Sequence, residues 1–220
     1  MDALIARLRD AATELDEIAD QLEQQGAIPD RQPSEQPART ILFGQLVSPE
    51  LKAGVLWIEQ QIGLNADHLM CCMHFETGGS FSPSVKNAAG SSGLGLIQFM
   101  RATIEGPNGM LARFPDLRKY ASTHADLAKL SAVQQLSFVY FYFRQFGTSL
   151  KGWSLEDTYM AILFPKAIGK PLSWPMPWAA GSLAYKQNAG LDLNKDKVIT
   201  KAEAAAGVTK RLALGEQLRG

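Results

Sequence analysis

Glu76 closes the segment NADHLMCCMHFE and stands directly before Thr77 and the pair Gly78 and Gly79. The next acidic residue is Glu105; not one Asp or Glu occurs from 77 to 104. Leu69, Cys72, Met73 and Glu76 recur at i, i+3, i+4 and i+7, one face of a helix, so the carboxyl extends the stripe that such a helix buries. Burial disfavours the carboxylate, and so does the negative end of the helix dipole where the last turn meets Gly78. Glu76 is therefore expected to hold its proton near neutral pH, the state a general acid needs to protonate a leaving oxygen. By position alone, a solvated helix-end glutamate is the competing reading.

A second constellation lies in DLNKDKVITKAE, residues 192–203. Asp192, Asn194, Asp196, the carbonyl of Val198, Thr200 and Glu203 fall at positions 1, 3, 5, 7, 9 and 12 of an EF-hand-like loop, with Ile199 as its apolar eighth residue. Hard oxygen donors at this spacing suit Ca2+ as a structural clamp on the C-terminal helix. Lys197 departs from the pattern, because the sixth position favours glycine. Thr200 and Glu203 also make a Thr-x-x-Glu capping box, which accounts for half of the pattern without a metal. His68, His74 and His124 show no metal-ligand spacing.

These groups need elements to hold them, and the punctuation is helical. SPELKAGVLWIEQQIG has Ser48 as N-cap, Pro49 in the first turn, Leu51, Val55, Ile58 and Ile62 on one face, and Gly63 as a stop. The Glu76 helix has Asn65 as cap, Asp67 in its first turn and Gly78-Gly79 as terminator. Residues 80–95 read as loop or a small irregular sheet, and further helices are expected near 96–105, 131–147, 155–164 and 201–216. Leu136, Val139, Tyr140 and Phe143 mark a central core helix, and Trp57 reads as core. The prolines of WPMPW (174–178) put Trp174 and Trp178 in a loop, free to meet glycan, peptide or a partner. The class is mainly α.

Upstream, Leu4, Leu8, Ala11, Leu15, Ile18 and Leu22 form a heptad seam over residues 1–25, suited to self-association or to docking on an assembly. A Pro-rich linker over 26–40 follows, and the compact domain is expected over 41–220. Lys+Arg and Asp+Glu balance at 22 each, against a nucleic-acid or anionic-membrane binder and in favour of a neutral substrate. The apolar runs are too short to span a bilayer, and the mixed-charge start lacks the pattern of a secretory signal. Cys71 and Cys72, adjacent on a helix, cannot bridge each other with ordinary disulfide geometry.

ETGG (76–79) followed by GLIQFMRAT (95–103) resembles the paired signature of the lytic transglycosylase and goose-type lysozyme families, in the lysozyme-like superfamily. Matching positions are Glu76, Gly78, Gly79, Gly95, Leu96, Gln98, Met100, Ala102 and Thr103; Thr77 replaces a serine and Arg101 a proline. LEDTYMAILFP (155–165) and AYKQNAG (184–190) are similar to later helices of these families. The resemblance implies a lysozyme-like α-helical fold that cleaves the MurNAc-GlcNAc β-1,4 bond of peptidoglycan. It makes Glu76 the catalytic acid and base, with Thr77, Gly95, Gln98, Tyr159 and Tyr185 lining the sugar site and Tyr185 against Glu76 or the sugar. Two-carboxylate glycosidases place a second acid about 5 to 9.5 Å from the first, and the acid-free stretch offers none in the usual loop. The resemblance then implies substrate assistance by the 2-acetamido group and a 1,6-anhydro product, with a goose-type hydrolase or a non-catalytic wall-binding or virion module as alternatives. A phage endolysin, a tail-associated enzyme or an exported effector, acting on the bacterial wall from the periplasm or outside, fits this reading. No cofactor is needed for the chemistry.

Overall fold

A computed structural model describes residues 39–88 and 90–220; the heptad helix over 1–25 and all but the last two residues of the 26–40 linker lie outside them. The described chain is mainly α-helical. Among the described residues there are no strands, only isolated bridges, and no helix is long and apolar enough to cross a membrane.

Helix α1, Pro49–Ile62, begins where the Ser48 side chain accepts from the Leu51 N–H and ends at Gly63, whose φ of 68° is left-handed. Helix α2, Ala66–Glu76, is capped by Asn65, whose side chain accepts from the His68 N–H. Asp67 does more than complement the dipole. Its carboxylate accepts from the Leu42 N–H and pairs with Arg219, while Ile41 and Gly220 exchange backbone hydrogen bonds. Residues 41–45 and the last turn of the chain thereby meet beside the start of α2.

The expected helix over 96–105 is shorter than its pattern: α3 spans only Arg101–Glu105. Leu94 and Phe99 exchange both backbone hydrogen bonds across a tight turn, in which Gly95 and Gln98 take φ of 78° and 53°. A left-handed φ at Gln98, costly for a residue with a Cβ, is incompatible with a continuous helix there. A short helix not foreseen from the pattern, α4, Met110–Arg113, follows. Helix α5, Ala132–Arg144, opens on a capping box between Ser131 and Gln134 and buries Leu136, Val139, Tyr140 and Phe143. Trp57 is only partly buried, tilted against Tyr140.

Helix α6 is Leu155–Leu163, and α7, Leu183–Asn188, leads into the 192–203 loop. The expected helix over 201–216 is two, α8 (Lys201–Thr209) and α9 (Arg211–Gln217). The break follows Thr209, whose hydroxyl bonds back to the Ala205 carbonyl, a contact that bends helices. Helix α2 lies at the centre, in contact with α1, α6, α8 and α9. Its Leu69, Met70, Cys72 and Met73 are fully buried, so apolar burial anchors the helix that carries Glu76. One buried charge locks this arrangement: Lys201, 2% exposed, donates to Asp157 of α6 and to the Lys170 carbonyl, which offsets its desolvation.

Candidate active site

Glu76 is the last residue of α2, and a hydrogen-bonded knot follows it. The Thr77 hydroxyl donates to the Met73 carbonyl at 2.7 Å and accepts from the Phe81 N–H at 2.9 Å. Gly78 and Gly79, with φ of 60° and 90°, return their N–H groups to the Phe75 and His74 carbonyls. A Cβ on Gly79 would press on the His74 ring, so the small residue is required by packing as well as by conformation. The knot fixes the end of α2 and with it the backbone of Glu76.

The Glu76 side chain is half-buried, and no described residue hydrogen-bonds it or pairs with its charge. Burial alone pushes its pKa up to about 7. No second carboxylate acts on it among the described residues. A thiol and two phenols lie within reach of its charge: the negative charge of Glu76 adds to burial in raising the pKa values of Cys72, Tyr142 and Tyr159. Tyr142 lies at about 12, chiefly through burial, and gives its hydroxyl to the Ala161 carbonyl at 2.6 Å. Tyr159 stands edge-on to Phe75, ring centroids 5.4 Å apart. The structure thus brings Glu76 together with Tyr159 and with Tyr142, which sequence reasoning missed. Tyr142 sits three residues beyond Val139 on the core helix, and nothing in an aromatic run marks which phenol faces a distant acid.

The other expected sugar-site residues are engaged inside the protein. Thr77 is buried, and its hydroxyl both donates and accepts within the knot. The close approach that Gly95 permits is to Gln135: a Cβ there would lie 2.2 Å from its Oε1. Gln135, fully buried and not foreseen, accepts from the Leu96 N–H and donates to the Pro83 and Leu127 carbonyls, so it pins the loop onto α5. Gln98 donates to the Val85 and Gly95 carbonyls, and its Oε1 is buried without a partner among the described residues. Tyr185, expected against Glu76 or the sugar, instead donates to Asp192 Oδ2 at 2.5 Å. The phenol stands seven residues before Asp192, the first acid of the calcium-type loop, and reaches it because α7 leads into that loop.

In the 192–203 loop, Asp192 Oδ2 also accepts from the Lys197 N–H, and Lys197 takes φ of 70°, the left-handed conformation that the motif reserves for glycine. Asn194 accepts from the Asp196 N–H and Asp196 from the Val198 N–H. Glu203 is in its capping box with Thr200 and also accepts from Leu193 and Asn194. Among the described residues, no three His, Cys, Asp or Glu side chains converge as a metal cluster. Asp192 nevertheless fits a cation: it is 7% exposed, and its Oδ1 is buried with no partner. The remaining donors are hard oxygens with spare lone pairs, so the chemistry suits Ca2+ once Glu203 leaves its cap. The WPMPW segment lies alongside: Met176 N–H donates to the Ile199 carbonyl and Lys201 N–H to that of Trp174. Trp174 and Trp178 pack by Phe164, and Trp178 borders a groove of about 530 Å³ with Pro175, Asp196 and Lys197.

Compared with protein-family models, with curated proteins and with solved structures, the chain matches none.

Proposed function

We propose that this protein is a peptidoglycan-cleaving glycosidase of lysozyme-like architecture that uses Glu76 as its single acid and base. The observation that carries the reading is a half-buried carboxyl with a pKa of about 7, without a hydrogen-bond partner or a neighbouring carboxylate among the described residues. A group so placed is protonated in a large fraction of molecules at neutral pH and has a free oxygen to present to a leaving group. The protonated Glu76 delivers its proton to the glycosidic oxygen as the bond to the anomeric carbon of MurNAc breaks. The 2-acetamido oxygen of that sugar stabilises the positive carbon, the role a second carboxylate has elsewhere. Glu76, now anionic, takes the proton from the C6 hydroxyl, whose oxygen closes the 1,6-anhydro ring.

Ca2+, where present, is a structural ion in this reading. Asp192, Asn194, Asp196, the Val198 carbonyl, Thr200 and Glu203 would hold it and fasten α8 to α7, with no part in the proton transfers. The test is replacement of Glu76 by Gln in an assay of lysis of purified sacculi. Lysis by the wild-type chain that disappears in the variant, with the helical circular dichroism unchanged, supports the assignment. Equal lysis by both proteins removes Glu76 from the chemistry.

A further inference from the structure

The acid-free stretch that isolates Glu76 is not charge-free: between Glu76 and Glu105 it carries Lys86 and Arg101 and nothing to neutralise them. Both line one groove of about 360 Å³, with Ser91, Ser92, Gly93 and His124 among its other walls. Neither cation forms an ion pair with a described residue. The backbone beneath them is fixed. Lys86 bridges to Leu94, the Asn87 N–H donates to the Gly93 carbonyl, and the Arg101 N–H donates to the Ser92 hydroxyl. His124 is buried and held through Nε2 on the Phe99 carbonyl at 2.8 Å.

The acids closest to this groove are occupied. Glu105 accepts from the His124 N–H, and Asp126 pairs with Lys129 and caps through Thr123. Two unpaired cations, serine hydroxyls and a glycine at one groove make a receptor for an anion with planar, hydrogen-bonding oxygens. The chain as a whole is neutral, so this is a local feature and not general basicity. The groove is built from the same loop that carries Gly95 and Gln98; Gln98 donates to the Val85 carbonyl, four residues beyond Phe81, whose N–H the Thr77 hydroxyl holds.

We propose that this groove binds a carboxylate of the peptide stem that muramic acid carries, holding stem-bearing strands in preference to bare glycan. The proposal rests on the glycosidase reading for the identity of the ligand, while the groove's preference for carboxylate is measured apart from catalysis. Binding is measured by calorimetry on the full chain with four probes: a disaccharide-peptide with free carboxylates, the same molecule with its carboxylates amidated, the peptide-free disaccharide, and a glycerol-phosphate polymer. Wild-type protein binds the free-carboxylate probe about tenfold more tightly than the amidated one, the scale of one charge-assisted contact in a partly desolvated groove. That difference shrinks with added salt and disappears in the Lys86→Gln, Arg101→Gln double variant, whose changes are at exposed side chains.

Equal affinity for the free and amidated probes overturns the proposal, as does a double variant that discriminates as the wild type does. Tightest binding of the phosphate polymer, again lost in the double variant, also overturns it and makes the groove a phosphodiester site. If carboxylate discrimination is found while the wild-type chain releases nothing from sacculi, the groove stands and the glycosidase reading falls. If lysis depends on Glu76 but discrimination is absent, the reverse holds.

Discussion

At the scale of single residues, the chemistry proposed for Glu76 turns on a proton. Burial raises the Glu76 pKa from the ordinary 4.5 to about 7, so the folded protein holds this proton more tightly than the unfolded chain does. Below pH 4.5 both states are protonated and the group costs nothing. Between about 4.5 and 7 the unfolded state ionises first, and stability falls as pH rises until the folded carboxyl also ionises; the full penalty is on the order of 3 kcal/mol. Glu76→Gln, which cannot ionise, is accordingly expected to be more stable than wild type above pH 7 by up to that amount and equal to it at pH 4; urea denaturation at both pH values measures this. The same titration predicts a rate that declines as pH rises through about 7, because the acid form is lost. Loss of the proton donor is expected to lower turnover by about a hundredfold or more.

At the scale of elements, the candidate site is a helix end followed by a loop. Gln135 pins that loop to α5: fully buried, it satisfies the Leu96 N–H and two carbonyls at once. Gln135→Ala leaves those groups unpaired and is expected to cost about 2 to 4 kcal/mol in chemical denaturation, with activity lost in step with folding. Gly95→Ala meets the same contact from the other side and is expected to be destabilising, since its Cβ would collide with Gln135 at a φ of 78°. The helices were legible where caps and periodicity agreed: Ser48 and Asn65 each begin a helix by the hydrogen bond their type favours. The loop was not. GLIQFM alternates nothing and carries no helix breaker after Gly95, yet the pairing of Leu94 with Phe99 and the grip of Gln135 override its helical propensity. The inward stripe of α2 identified Glu76, while the roles of Thr77, Gln98 and Tyr185 depend on partners 4 to 13 residues away that no local pattern reveals.

At the scale of the molecule, two devices fix the C-terminal region, the first of them against the helix that carries Glu76. Gly207 of α8 takes the Phe75 ring so closely that a Cβ would lie 2.6 Å from it, and Arg211 lies over the same ring at 5.6 Å. The second device is the 192–203 loop, whose exit helix is α8. Ca2+ bound there stabilises only the folded state, so it is expected to raise the melting temperature by several degrees at saturation and to be reversed by chelation. Asp192→Asn, which removes the charge of the unpartnered oxygen, is expected to abolish the calcium-dependent part of that shift. A melting temperature indifferent to Ca2+ leaves the loop as a hydrogen-bonded turn alone.

The most direct test of the central claim is mass spectrometry of the fragments that the purified protein releases from sacculi. One acid without a partner carboxylate predicts muropeptides ending in 1,6-anhydro-MurNAc, absent from the Glu76→Gln digest. Fragments with ordinary reducing ends would contradict the ring-closing chemistry, and no fragments at all would contradict the enzyme.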